Sequence, residues 1–407
     1  MAEVTIQRLG HHGDGIAEGP VYAPLTLPGE VVAGDVSGDR IPSPSVITPS
    51  PDRVKAPCPH YKSCGGCSLM HASDAFVAAW KSDVITNALE AHDLATPLRP
   101  ILTSPPRTRR RATLAGTRTK KGALVGFHAR KSDTIVPIRD CFVLHPSLLE
   151  TLPALEQITR IGASRSATLA FALTLTDTGI DCRVTGGKPL DGPVRAALPT
   201  FAHAFIRLTW DDEPVFIETP PTLSIGPARV SPPPGAFLQA TAEGEAALQA
   251  AVMEATQGAK SVADLFCGLG TFALPLARTA PVHAVEGAPD LLAALTQAAN
   301  HAIGLKPITT EARDLFRRPL LPDELAGFDA IVIDPPRAGA EAQTRQIARA
   351  RVPTVVAVSC NPVTFARDAA ILKQAGYALQ WVQPVDQFRW SPHVELAAKF
   401  TLPHIHT

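Results

Sequence analysis

The residues best suited to covalent chemistry lie in the stretch VVAVSCNPVTFARD, Val355 to Asp368. Val355 to Val358 is a β-branched run of the kind found in a sheet buried on both faces. Ser359, Cys360, Asn361 and Pro362 break the run, and Thr364 to Gln374 has helical composition with Phe365, Ala369 and Leu372 recurring on one side. Cys360 is thus predicted at the carboxyl end of a strand, the edge where open α/β sheets bind ligands. A cysteine taken alone more often packs as a small hydrophobe, but one in the turn after a strand, followed by Asn-Pro, is placed to act as a nucleophile. In DQFRWSPHVELAAKF, Asp386 to Phe400, His393 and Glu395 precede an apolar run. That puts an acid at the start of a late strand, on the edge that carries Cys360.

A second chemical pattern is DLFCGLGTFALPLA, Asp264 to Ala277, read as a strand, a Gly-rich turn and a helix start. Gly268 and Gly270 let the backbone approach a ligand, and the helix start aims amide donors at it. The next strand, Val282 to Val285, ends in Glu286, where a ribose-binding carboxylate falls in such folds. The third Gly of the dinucleotide fingerprint is missing, so the spacing fits S-adenosylmethionine better than NAD. Asp314 follows the third strand, and Asp334-Pro-Pro-Arg-Ala-Gly339 follows the fourth, Ala330 to Ile333. The paired prolines hold that loop extended, with Asp334 toward the cleft.

A third pattern is CPHYKSCGGCSLMH, which sets Cys58, Cys64 and Cys67 close enough to converge on one ion or cluster, with Gly65 and Gly66 letting the backbone wrap around it. Cys141, in VPIRDCFVLHP, is the expected fourth ligand. Zinc and iron-sulfur clusters both accept four thiolates, so the spacing leaves both open. Between Arg107 and Lys131 there are nine Lys or Arg and no acid. Arg109, Arg110 and Arg111 head this run, read as a phosphate-contacting strip on a hairpin of Arg111 to Arg118 and Leu124 to His128.

Positioning these groups takes a long chain. Its 407 residues suggest two or three domains, and Lys+Arg equal Asp+Glu at 38 each, so a polyanion must be met by a local basic patch. Seven cysteines, no signal peptide and no membrane-length apolar run point to a cytosolic protein whose thiols bind metal or do chemistry. Residues 1–50 are expected as a small β-rich module, followed by a linker from Pro42 to Pro57. Residues 51–235 are expected as a central α+β domain, including a helix from Asp74 to Glu90 capped by Ser73 or Asp74. Residues 236–407 begin with Phe237, Gln239 and a helix from Thr241 to Ala255. They then alternate β and α, the pattern of a parallel sheet with crossover helices.

Together, DLFCGLGTFALPLA, DPPRAGA (Asp334 to Ala340), SCNPVTFARD (Ser359 to Asp368) and the C-terminal His393-Val-Glu-Leu resemble the RNA uracil-5 methyltransferases that make 5-methyluridine. The resemblance covers nearly the whole chain. It implies a class I, Rossmann-like methyltransferase domain behind a TRAM-like, OB-like N-terminal barrel. It also implies a [4Fe-4S] cluster on Cys58, Cys64, Cys67 and Cys141, and an S-adenosylmethionine site using Gln239, Phe266, Thr271, Glu286, Asp314 and Asp334. Cys360 would be the nucleophile, Glu395 the general base and Phe237 a stacking platform for the base. A monomer acting on RNA is expected, with 23S rRNA favoured over tRNA and no membrane partner. Two other functions stay open on the residues alone. One is methylation of an exocyclic base nitrogen, which needs no nucleophilic cysteine. The other is a metal-stabilised RNA-binding protein with a vestigial cofactor fold.

Overall fold

In a computed structural model of the chain, residues 2–403 are described; Met1 and residues 404–407, the outer ends of the first and last expected segments, lie outside the described residues. The chemistry is carried by an eight-stranded sheet. Its strands in chain order are Leu102–Thr103 (β1), Val262–Leu265 (β2), Val282–Glu286 (β3), Ile308–Ala312 (β4), Ala330–Ile333 (β5), Thr354–Ser359 (β6), Ala378–Asp386 (β7) and Glu395–Thr401 (β8). Their spatial order is β4-β3-β2-β5-β6-β8-β7-β1. Strands β2 to β6 are mutually parallel, and their Val, Ile and Leu side chains feed apolar cores on both faces of the sheet.

The expected parallel sheet is present in β2 to β6, and antiparallel strands extend it on one side. β8 runs antiparallel to both β6 and β7, because only residues 387–394 separate β7 from β8, and a parallel return needs a crossover of about a dozen residues or more. β8 is thereby inserted beside β6 in the reverse direction. Its first residue, Glu395, comes out at the edge where β6 ends, and Ser359 pairs with Leu396.

Ahead of this sheet's parallel strands come two larger sheets and a two-stranded one, Leu223–Ile225 with Ala228–Val230. Ala2–Leu9 is the centre of a five-stranded sheet that extends to Ser45–Thr48 and closes over Ile6, Ala17, Ala23, Val32 and Ile41. A seven-stranded sheet contains the expected hairpin as Arg111–Thr119 and Gly122–His128, with the helix Leu152–Gly162 packed on it.

Helix α1, Asp74–Glu90, is capped by Ser73, whose hydroxyl accepts from the amide of Phe76 at 3.2 Å. It buries Val77, Lys81, Ile85 and Leu89, residues four apart on one face. That face packs against the helix Pro362–Gln374, with Ile85 and Leu89 in the core on one side of the sheet, and the chain after α1 adds β1 as a parallel edge strand to β7. Lys81 is the exception in an apolar stripe. Its ammonium is wholly buried and lies 2.6 Å from Asp386 Oδ1 at the end of β7, and it also donates to the Phe388 carbonyl at 3.2 Å.

Removing one member of such a pair leaves an uncompensated buried charge, which costs about 3–5 kcal/mol. Lys81→Ala is expected to lower unfolding free energy by about that amount in urea titration. Lys81→Met combined with Asp386→Leu is expected to lose less, and a double variant no more stable than Lys81→Ala would show that the pair is not what holds this corner.

Candidate active site

Because β2 to β6 point the same way, the turns after them crowd one edge, and the reversed β8 starts there too. They wall a pocket of about 490 Å³. Of the expected cofactor residues, Gln239, Phe266, Gly268, Thr271, Glu286, Asp314 and Asp334 line it, and so do Phe237, Cys360 and Glu395. Gly270 does not. It turns with φ +87°, and a Cβ there would lie 2.4 Å from Leu295, so this glycine serves the close packing of the turn on the helix Pro289–His301. Gly268, at φ +54° with nothing within 4 Å of a Cβ position, keeps the pocket open.

Glu286 is fixed by backbone amides. One oxygen accepts from Gly268 at 3.1 Å and the other from Ala288 at 3.0 Å, which leaves lone pairs for a ribose diol. Asp314 is held by the amides of Phe316 and Arg317. Phe266, at φ +61°, sets its ring 5.3 Å from that of Phe316, and Phe316 is 49% exposed at the pocket. Phe316, two residues after Asp314, lines the pocket and escaped the sequence reading. Arg313, in contrast, points away into ion pairs with Glu311 and Glu324.

Cys360 follows β6 directly. Asn361 caps the next helix, Pro362–Gln374, by accepting from the Val363 amide, and donates its side-chain amide to the carbonyl of Arg337 at 3.0 Å. The Cys360 turn and the Asp334 loop are therefore clamped together. Burial pushes the Cys360 thiol up to about 11, helped by the charges of Glu395 and Asp334 and opposed by Arg337. Burial likewise raises Asp334 to about 7. Glu395 rises to about 8, by burial first and then Asp334, with a hydrogen bond from Gln387 and the charge of Arg111 pulling it down.

The three arginines part company. Arg111 lies over the Phe237 ring at 4.3 Å, and Phe237 is 58% exposed. Arg109 lies over Phe388, and Arg110 is absorbed by an ion pair to Glu245 at 2.5 Å and a bond to the Gln239 carbonyl. The acid-free run is also less free than it reads. Arg107 pairs with Asp140, Lys131 with Asp14, and Arg130 donates to the carbonyls of Tyr61 and Cys67. A count along the chain cannot see acids that arrive from elsewhere. Arg118, Lys120 and Lys121 remain exposed at the hairpin tip.

Cys58, Cys64, Cys67 and Cys141 line a separate cavity of about 330 Å³, together with Arg109. All four are free thiols, and burial pushes Cys67 up to about 12. Gly65 donates to the His128 carbonyl, which a Cβ would approach to 2.7 Å, so glycine is needed where this loop meets the hairpin. Among the described residues, no group of three or more His, Cys, Asp or Glu is arranged to hold one metal ion.

With the geometry in hand, comparisons with known proteins can be read against it. Residues 231–400 match the family described as tRNA (uracil-5-)-methyltransferase. An RNA methyltransferase of Caulobacter vibrioides is 44% identical, covering 98% of this chain and 100% of its own length. A 23S rRNA (uracil(1939)-C(5))-methyltransferase of Shewanella sp. (strain MR-4) is 32% identical, covering 98% of this chain and 95% of its own. The fold matches the crystal structure of Pyrococcus abyssi tRNA (uracil-54, C5)-methyltransferase in complex with S-adenosyl-L-homocysteine, with TM-score 0.76 and 23% identity over 98% of this chain and 99% of that one. The fold is that of an S-adenosylmethionine-dependent methyltransferase with the N-terminal β-rich module in place, and the chain belongs to the RNA uracil-5 methyltransferase family.

Proposed function

We propose that the protein methylates C5 of a uridine in 23S rRNA by way of a covalent adduct on Cys360. The observation that carries this reading is the convergence of Cys360, Glu395, Asp334 and the Glu286 pocket on one cavity. The choice of 23S over transfer RNA is supported by the 32% relative, which spans nearly the whole chain.

Uracil C5 is too weak a nucleophile to take a methyl group unaided. When the Cys360 thiolate adds to C6, a C–S bond forms and the ring's electrons move into an enolate, which makes C5 reactive. S-adenosylmethionine would be held by Gln239, Phe266, Thr271, Glu286, Asp314 and Asp334 and would supply the methyl group, its S–CH3 bond breaking as the C5–CH3 bond forms and S-adenosylhomocysteine leaving. Glu395 then takes the proton from C5, the C6–S bond breaks and the thiolate is regenerated. Phe237, half open at the pocket, offers a face on which an unstacked base can rest, and Arg111 stacked beneath it adds positive charge for the RNA backbone.

The cysteine cavity offers four thiols around a space of about 330 Å³, a donor set that a [4Fe-4S] cluster accepts. Cys58, Cys64, Cys67 and Cys141 would hold it. Anaerobically prepared protein is expected to carry about four irons per chain and no zinc, and stoichiometric zinc without iron would reverse this assignment.

Two outcomes test the chemistry. Cys360→Ala should abolish 5-methyluridine formation while binding S-adenosylhomocysteine normally, and Glu395→Gln should accumulate a methylated protein–RNA adduct visible on a denaturing gel. Turnover by Cys360→Ala would refute the nucleophile. The pH dependence has a definite sign, because both groups act deprotonated and burial raises both. Turnover should climb as pH rises through about 8, where Glu395 ionises, and keep rising toward the thiol near 11. A rate that falls across pH 7 to 9 in steady-state assays would be incompatible with these assignments.

A further inference from the structure

Gln387 lies in the turn between β7 and β8, is 2% exposed and does not line the pocket. Its carboxamide has an unambiguous orientation. The Oε1 atom accepts from the backbone amide of Ala240 at 2.7 Å, with a longer contact to that of Thr241 at 3.4 Å, and a backbone N–H can only donate. The other end, Nε2, must therefore be the donor, and it lies 2.5 Å from Gln239 Oε1. Gln239 in turn has only one way to face. Its oxygen is taken, so its own Nε2 is the end left for the pocket it lines, and no protein partner of that Nε2 is found among the described residues. The same Gln387 amide also hydrogen-bonds Glu395. The contact is tight by construction. Gly244, in the first turn of the helix Ala242–Ala255, leaves the room, since a Cβ there would lie 2.6 Å from Gln387 Cβ.

We infer that Gln387 is a positioning residue that locks Gln239 with its N–H donors toward the pocket, where they recognise an sp² oxygen acceptor. The acceptor is a carbonyl of the target uracil or the carboxylate of the methyl donor. Either way the polarity is selective. A group presenting N–H at that place, such as the exocyclic amine of cytosine, would meet donor against donor. The inference rests on the uracil-C5 reading above and deepens it, because it assigns the orientation of the contact.

The test compares Gln387→Glu, which keeps the shape but supplies only acceptors when ionised, with Gln387→Leu. Two quantities are measured: the Kd for S-adenosylhomocysteine by calorimetry, and the rate of covalent adduct formation with RNA carrying 5-fluorouridine. If the acceptor is a uracil carbonyl, both variants form adduct at least about tenfold more slowly with an unchanged Kd. If it is the donor carboxylate, the Kd weakens by a similar factor. A double-mutant cycle with Gln239→Leu separates positioning from mere packing. Adding a Gln387 substitution to Gln239→Leu should cost little more, whereas fully additive losses would overturn the inference. Variants within twofold of wild type in both measurements would overturn it as well. Wild-type protein that forms no adduct would instead refute the uracil-C5 reading itself, an outcome distinct from reactive wild type matched by its variants.

Discussion

The catalytic edge depends on a cation carried in from a distant part of the chain. Lys81 is buried in the middle of α1, and its ammonium closes on Asp386 at the end of β7. Around that pair the backbone is tied off. The Phe388 amide donates to Asp386 Oδ1, the Lys81 ammonium to the Phe388 carbonyl, and the Ser104 amide to the Asp386 carbonyl. The turn that follows carries Gln387 and ends at Glu395, so the place where Glu395 enters the pocket is set by an ion pair outside it. Burial makes the pair costly to form, and it makes a break costlier, because either partner left alone would be a bare charge in an apolar core.

The electrostatics of the pocket follow from crowding acids where water is scarce. Asp264, wholly buried under the Gly-rich turn, is pushed well above the carboxylate range by burial and then by the charges of Asp334 and Glu286. Asp334 and Glu395 rise for the same first reason, and the Cys360 thiol rises with them. Asp334, Glu395 and the Cys360 thiol are thereby biased toward their protonated forms. Positive charge entering beside these groups favours their ionised forms, so binding of a cationic methyl donor draws Asp334, Glu395 and Cys360 toward ionisation.

Much of this was legible in the sequence because the signals are local. The strand and turn around Cys360, the helix Asp74–Glu90 with its Ser73 cap, and the Gly-rich turn with Glu286 after the next strand depend on neighbours in the chain. Partners far apart in sequence were not legible. Nothing in the neighbouring sequence marks Lys81 as buried, because its partner Asp386 lies about 300 residues away. Arg110 reads as an RNA contact until Glu245 arrives, and Gly270 reads as a cofactor contact until Leu295 is seen behind it. The reversal of β8 was hidden for a related reason, since alternating β and α composition carries no sign of direction and only the short 387–394 connection decides it.

The same turn explains why the cysteine cavity, though separate from the pocket, is not independent of it. The amides of Ser68 and Leu69, immediately after Cys67, both donate to the carbonyl of Trp390, at 2.8 and 2.9 Å. Trp390, held at φ +60°, packs with Tyr61 and Met70 against Cys58, Cys67 and Phe142. From the other side Arg109, on the cavity wall, lies over Phe388. Residues 387–394 are therefore gripped by Lys81 at one end and by the cysteine-bearing loop in the middle. The order of the cysteine loop is thus passed through the Trp390 carbonyl to the segment that positions Gln387 and Glu395.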